Sequence, residues 1–322
     1  MFPSRSTLLL VFLLPVFSST AFSQSTVALL NVPELRLLPQ EENAFSRVNL
    51  YDEEVLPFEL VRGMIYVAAT VDGRAGRYLL DTGAPRLVLN VDHLTAAAQR
   101  DVESHQAMGS GGHVDIGRTT VERLEWAGRT WKSPAALVLS MAHFEEAGDQ
   151  HIDGIIGYEQ FQDRELLFDY DNSVLRLHAA DQPVNRRLER PRLTFILEFY
   201  DHLPIITLVR NGRRLRFAMD SGAAANLIDP VALSQSERNE LSENMTGAVQ
   251  LRGLDGNANS VRAATITDWE DTTLHLDEQR FLLKSLDYLS EDGRPFDGIL
   301  GYEFLRANRV SIDYPNKRLY VW

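Results

Sequence analysis

The stretch Gly73-Arg74-Ala75-Gly76-Arg77-Tyr78-Leu79-Leu80-Asp81-Thr82-Gly83-Ala84 recurs as Gly212-Arg213-Arg214-Leu215-Arg216-Phe217-Ala218-Met219-Asp220-Ser221-Gly222-Ala223, 220 − 81 = 139 residues later. A second pair, Asp153-Gly154-Ile155-Ile156-Gly157-Tyr158-Glu159 and Asp297-Gly298-Ile299-Leu300-Gly301-Tyr302-Glu303, follows at an offset of 297 − 153 = 144. That offset continues without a gap through Phe168-Asp169-Tyr170-Asp171-Asn172 against Ile312-Asp313-Tyr314-Pro315-Asn316. A duplicated unit decides the fold before any single element is assigned. The offsets differ by 144 − 139 = 5 residues, so the length difference lies in the middle of each half.

Working outward, each Asp-bearing stretch is preceded by a strand pattern and a turn. Met64 to Val71 and Pro204 to Val209 are rich in β-branched and apolar residues, followed by Asp72-Gly73 and Asn211-Gly212. Both read as hairpins. Glycine-rich stretches follow, Met108-Gly109-Ser110-Gly111-Gly112-His113 and Arg252-Gly253-Leu254-Asp255-Gly256-Asn257, each placed as a hairpin tip. Helical signal is thin: short helices are expected over Val91 to Arg100 and Val231 to Leu241, with shorter pieces beginning near Tyr158 and Tyr302. The division is a leader over 1–23, an extension over 24–58 without a counterpart in the repeat that is either a pro-segment or an N-terminal strand packed on the lobes, a first lobe over 59–178, a linker over 179–192 and a second lobe over 193–322.

Composition narrows the setting. The apolar run Leu8 to Phe17 after Arg5, ending in Ser18-Ser19-Thr20-Ala21-Phe22-Ser23, reads as an export leader cleaved after Ser23. It falls short of the roughly 20 apolar residues that span a bilayer, so no stable membrane insertion is expected. The chain has no cysteine, which excludes a disulfide framework and suits a bacterial periplasm or exterior. A formal charge of −13 argues against nucleic acid, and the one basic cluster, Asn185 to Arg192, is a solvated linker.

An Asp-Thr-Gly or Asp-Ser-Gly tripeptide alone is common in turns and carries little. Here each follows an apolar strand end and occupies the same place in a duplicated half, with the same glycine-bearing apolar segment downstream. On these residues the chain, over approximately 60–322, resembles pepsin- and retropepsin-type aspartic proteases, in particular the bacterial exported kind with two retropepsin-like halves in one polypeptide. The resemblance implies an all-β fold with minor helix: a bilobal acid-protease fold of two retropepsin-like β-barrel lobes related by a pseudo-twofold axis, with Asp81 and Asp220 forming one dyad in the cleft. One chain supplies both aspartates, so a monomer suffices.

Two carboxylates within a few ångströms do not both ionise readily; they share one proton and titrate as a unit. The resemblance implies a water between Asp81 and Asp220 that loses a proton to one and attacks a peptide carbonyl assisted by the other, with no metal or other cofactor. Thr82 and Ser221 are expected to turn their hydroxyls inward to backbone groups of the opposite loop, while Gly83 and Gly222 let amides approach the carboxylates. Gly157 and Gly301 are expected where a Cβ would obstruct two crossing backbones. Gly109, Gly111 and Gly112, or Gly253, Asp255 and Gly256, are the candidate flaps over an extended peptide or protein substrate.

Three departures from the pattern are visible. Ala84 and Ala223 stand where pepsin-like enzymes carry a hydroxyl donor to the outer aspartate oxygen, which favours protonated carboxyls and activity at mildly acidic pH. Neither flap has a tyrosine, and Pro85-Arg86 replaces small hydroxyl residues. These leave open a different class of function, a catalytically silent peptide- or protein-binding module. Other chemistries fail on spacing: no His pair brackets a glutamate as in zinc peptidases, His151 reads as a surface neighbour, Ser221 has no histidine at a nucleophile's spacing, and Glu159 and Glu303 are explained by the helix dipole.

Overall fold

Asp72 and Gly73 adopt φ of 50° and 78°, and Asn211 and Gly212 adopt 48° and 69°. Two positive φ values in succession are the signature of a type I′ hairpin turn, which Asx-Gly pairs reach at little cost. Each turn joins a long antiparallel pair, Met64–Val71 with Arg74–Leu80 and Leu203–Arg210 with Arg213–Met219. The computed structural model describes residues 12–16, 53–94, 103–109, 112–142, 145, 151–179, 190–244, 246–253, 258–289 and 294–322. It is an all-β bilobal acid-protease fold with three sheets, one for each half and one shared.

The shared sheet runs in the order Leu193–Ile196, Arg318–Val321, Val310–Asp313, Arg164–Asp169, Val174–Ala179, Glu53–Pro57. At its centre Leu167 faces Ser311, its own repeat mate (311 − 167 = 144), with Leu166 opposite Ile312 and Phe168 opposite Val310. The pseudo-twofold axis passes through that pair. Glu53–Pro57 corrects one sequence expectation, that residues 24–58 have no counterpart. Leu56 pairs with Leu175 exactly where Phe195 pairs with Leu319 in the other half, and 195 − 56 = 139. Among the expectations for 24–58, residues 53–57 meet that of a strand packed on the lobes; its place in the repeat carried no motif because sheet pairing alone defines it.

The length difference between the halves sits where the offsets change. The second half carries the helix Gln235–Asn244; the first has only the 3₁₀ turn Val91–His93 before residues 95–102, which lie outside the described set. The expected helix over Val231 to Leu241 is also corrected. Asp229 caps the 3₁₀ turn Pro230–Ala232 through its bond from the Val231 amide, and Leu233 then turns extended (φ −92°, ψ 149°). A fresh start follows, in which Ser234 and Glu237 bond each other's backbone amides as a capping box.

One continuous apolar cluster runs through both halves by way of the shared sheet, including Leu80, Phe161, Phe168, Phe217, Phe281, Phe304 and Ile312. A smaller cluster fills the other face of each half's sheet. Each fully buried Phe or Leu contributes about 1.5–3 kcal/mol, and together they hold the two Asp-bearing loops on a common floor. Strand Phe12–Val16, inside the stretch expected to be removed as a leader, lies antiparallel along Thr246–Gly253 at the open edge of the second half's sheet.

Candidate active site

Each aspartate comes immediately after an apolar strand whose inner neighbour runs parallel to it. Tyr78–Leu80 pairs with Gly154–Ile156, and Phe217–Met219 with Gly298–Leu300. The Asp81 amide continues the first ladder to the Ile156 carbonyl at 3.0 Å, and the Asp220 amide continues the second to Leu300 at 3.0 Å. The chain then folds back on itself: the Ala84 and Ala223 amides bond the Asp81 and Asp220 carbonyls at 3.3 and 3.2 Å. The Tyr158 and Tyr302 amides in turn hold the Ala84 and Ala223 carbonyls at 2.9 and 2.8 Å. Here Gly157 and Gly301 become obligatory. A Cβ on Gly157 would sit 2.5 Å from the Arg86 carbonyl oxygen, and one on Gly301 2.3 Å from that of Ala223.

The two loops meet head to head. The Thr82 amide donates to Ser221 Oγ at 3.1 Å and the Ser221 amide to Thr82 Oγ1 at 2.9 Å. The hydroxyls pass on their own protons, Thr82 to the Met219 carbonyl at 3.1 Å and Ser221 to the Leu80 carbonyl at 3.0 Å. Four crossed bonds, all buried, thus brace one loop against the other. Within each loop the glycine amide donates to the carboxyl two residues back, Gly83 to Asp81 Oδ1 at 2.7 Å and Gly222 to Asp220 Oδ1 at 2.9 Å. A Cβ on Gly222 would lie 2.4 Å from Asp81 Cγ, so the carboxyl of one loop rests on the glycine of the other.

Asp81 and Asp220 are fully buried, and their Oδ2 atoms receive no donor from elsewhere in the described residues. The two carboxyls act on each other's proton affinity. Burial raises Asp81 well above the ordinary carboxylate range; the Asp220 carboxyl beside it pushes it further, against the Gly83 and Ala84 amides. Burial also raises Asp220, opposed by Asp81 and by the Gly222 and Gly83 amides. Such a pair retains a proton to higher pH than two separate carboxyls would.

Several neighbours carry no sequence motif. Tyr158 meets Tyr314 edge-on at 5.5 Å between ring centroids, and the repeat-related Tyr302 meets Tyr170 at 5.7 Å. The Tyr314 hydroxyl is buried without a hydrogen-bond partner among the described residues; burial, then Tyr158 and the two aspartates, raises its pKa. Both pairs were traceable in the sequence as tyrosines recurring at the 144 offset. His202, whose Nε2 lies 2.7 Å from the Gly83 carbonyl oxygen, was not traceable, because its repeat position is Gly63. Arg86 forms a 2.8 Å ion pair with Glu159, which accounts for its place after Pro85 and gives Glu159 a partner beyond the helix dipole. His151 is exposed beside Asp153 and Glu145.

Of the flap residues, Gly109 pairs with Gly112 at the end of the hairpin Glu103–Gly109 and Gly112–Thr120. Gly253 ends strand Thr246–Gly253, which pairs with Ala258–Thr265. Gly111, Asp255 and Gly256 lie outside the described residues. No curated protein matches the chain. Residues 67–160, which contain Asp81, Thr82, Gly83 and Gly157, match the family model for aspartyl protease, so the first half is similar to aspartyl proteases in sequence, while the second half is tied to it by the repeat and the fold.

Proposed function

We propose that this chain is an aspartic endopeptidase that uses Asp81 and Asp220 as a proton-sharing pair. The observation that carries the reading is the reciprocal bracing of Thr82 and Ser221, which holds two buried carboxyls at the same place in two duplicated loops. A water held between the carboxyls gives a proton to the ionised partner and attacks the peptide carbonyl; the protonated partner stabilises the developing oxyanion and then protonates the leaving amine. Thr82, Ser221, Gly83 and Gly222 keep the carboxyls in register without touching the peptide. An extended peptide is the substrate, covered by one of the two glycine-rich hairpins. The raised pair favours activity at mildly rather than strongly acidic pH. The setting that suits the cysteine-free chain is the periplasm or exterior, after removal of residues 1–23.

Complete burial of the two carboxyls supports a second reading, a module that binds peptides without cutting them. Assay of the purified chain on a mixed peptide library between pH 3 and 7, beside Asp81→Asn and Asp220→Asn, separates the two. Cleavage that falls at least ~10³-fold in each variant supports the dyad. Equal cleavage by all three proteins sinks the assignment, and peptide binding with no cleavage by any of them selects the silent module.

A further inference from the structure

The dyad's surroundings are not symmetric, and the departure is concentrated at one residue. In the first half, the turn before strand Met64–Val71 is Arg62-Gly63; in the second, the equivalent turn is Asp201-His202. Arg62 and Asp201 share a positive φ, 52° and 53°, but the turns part at the next residue, where Gly63 has φ 83° and His202 has no positive φ. Backbone and neighbours together keep a side chain out at Gly63. A Cβ on Gly63 would lie 2.9 Å from the Tyr302 ring, which leaves no room for a side chain. At His202 the corresponding ring, Tyr158, stands 6.0 Å away between centroids, and the imidazole fills the space between it and the opposite loop.

The imidazole, 7% exposed, crosses from the second half to the first half's Asp-bearing loop, where Nε2 meets the Gly83 carbonyl at 2.7 Å. A carbonyl only accepts, so Nε2 carries the hydrogen. The acceptor sits at a sensitive point. Gly83 directs its own amide to Asp81 Oδ1, and the peptide whose oxygen His202 holds has as its nitrogen Ala84, whose N–H bonds the Asp81 backbone carbonyl at 3.3 Å and lowers the pKa of the carboxyl on that residue. A donor on the oxygen of an amide polarises its N–H, and bonds in series strengthen one another. Among the described residues no side chain donates to the carbonyl of Gly222, the mate of Gly83.

We propose that His202 is a positioning residue of the dyad: by holding the Gly83–Ala84 peptide with a donor that the second loop lacks, it makes the two aspartates inequivalent before substrate arrives. This rests on the proton-sharing reading of Asp81 and Asp220. The groups that face the imidazole are Asp201 on its own turn, Arg86 from the first loop, itself paired with Glu159, and the Tyr158 ring. Burial lowers the His202 pKa, aided by Arg86 and opposed by the Gly83 bond and Asp201.

The test compares full-length wild type with His202→Gln, which retains a donor, and His202→Leu, which does not. Two readouts are taken, carboxyl ¹³C titration of the dyad and kcat and KM against pH. In His202→Leu the titration is expected to move to higher pH by about 0.5–1 unit, since a bond favouring the charged form is lost. Its kcat should fall about tenfold with KM within about threefold, and His202→Gln should recover most of both. If His202→Leu does not fold, His202→Asn, whose amide is too short to reach Gly83, replaces it. A titration unchanged by the loss of the donor, or a folded Gln variant that behaves like Leu, overturns the proposal. The carboxyl titration decides it even if no peptide is cut; retained cleavage in Asp81→Asn and Asp220→Asn would instead defeat the dyad itself.

Discussion

The cores of the two halves are filled in different ways beneath nearly identical loops. In the second half Phe217, Trp269 and Phe281 form an aromatic trio, with Trp269 stacked on Phe281 at 5.7 Å and 27° and edge-on to Phe217 at 5.7 Å. Strand pairing aligns these residues with Tyr78, Leu124 and Ala136 of the first half, which therefore has less bulk at the same place. The first half compensates nearer the shared sheet, where Trp126 packs edge-on against Phe161 at 6.4 Å, and adds the hairpin Arg123–Trp126 with Arg129–Lys132. The second half has two 3₁₀ turns, Thr272–Leu274 and Leu276–Glu278, in place of that hairpin. Even the amides beside the loops are met differently. Gly301 donates to Asn226 from the strand behind it at 3.0 Å, whereas Gly157 donates to Gln160 of its own turn at 3.3 Å.

The loops themselves match to within a few tenths of an ångström, bond by bond. Loop geometry is thus set by contacts made across the axis, and each core needs only to supply a strand that ends in the right place. That comparison can be broken from its strongest side first. Phe281→Ala should cost about 3–5 kcal/mol by urea denaturation, because it removes a fully buried ring in contact with both Phe217 and Trp269. The same method applied to Val138→Ala, at a buried position in the half with smaller side chains at these places, should show a smaller loss, about 1–3 kcal/mol. A second half that tolerates the Phe281 truncation better than the first tolerates Val138→Ala would contradict the reading.

The crossing points come next. Gly301→Ala and Gly157→Ala each force a Cβ onto rigid backbone oxygen, and a loss of about 1–3 kcal/mol is expected for each, larger for Gly301, where the contact is 0.2 Å tighter (2.5 − 2.3). Equal and negligible losses in thermal unfolding would mean the loops can separate.

The dyad carries a stability signature of its own. Both carboxyls have raised folded-state pKa values, so between the ordinary carboxylate range and those raised values the native state binds more protons than the unfolded chain. Stability is therefore fully present below the unfolded pKa and declines as pH rises through the folded values. Asp81→Asn or Asp220→Asn should raise Tm at pH 7 more than at pH 4, by the equivalent of about 1–2 kcal/mol, and flatten the pH dependence. A steeper dependence in the variants would reverse the sign of the argument. The smallest effect belongs to Arg86→Ala. The Arg86–Glu159 pair is about one-third exposed on both sides, so its loss should cost less than about 1 kcal/mol in thermal unfolding and should shrink further in high salt.

Much of this was open to a reader of the sequence for a local reason. Type I′ turns demand Asx-Gly, and a loop that receives another backbone within 2.5 Å demands glycine, so both halves repeat these residues visibly. Long-range requirements left weaker marks. The strand Glu53–Pro57 has no special composition, since any residues that alternate can add to an open edge of the shared sheet. The helix boundary after Leu233 depended on Asp229, Pro230 and Ser234 competing as caps, which a periodicity over Val231 to Leu241 does not resolve.

From the residues alone came the duplication, the strand-rich reading and the two Asp-Thr/Ser-Gly loops, because local conformational demands are written where they act; the bilobal architecture came with the resemblance those residues carry. Only the tertiary structure decided the partners and lengths of the four crossed bonds, the edge-on packing of the tyrosine pairs, and the imidazole that touches the first loop. Those depend on distances between residues far apart in the chain, |i−j| being 119 for His202 with Gly83, 139 for Thr82 with Ser221 and 314 − 158 = 156 for Tyr158 with Tyr314. Chain separations of that length leave no pattern in a window of sequence, since only the closed fold brings the partners within a hydrogen bond of each other.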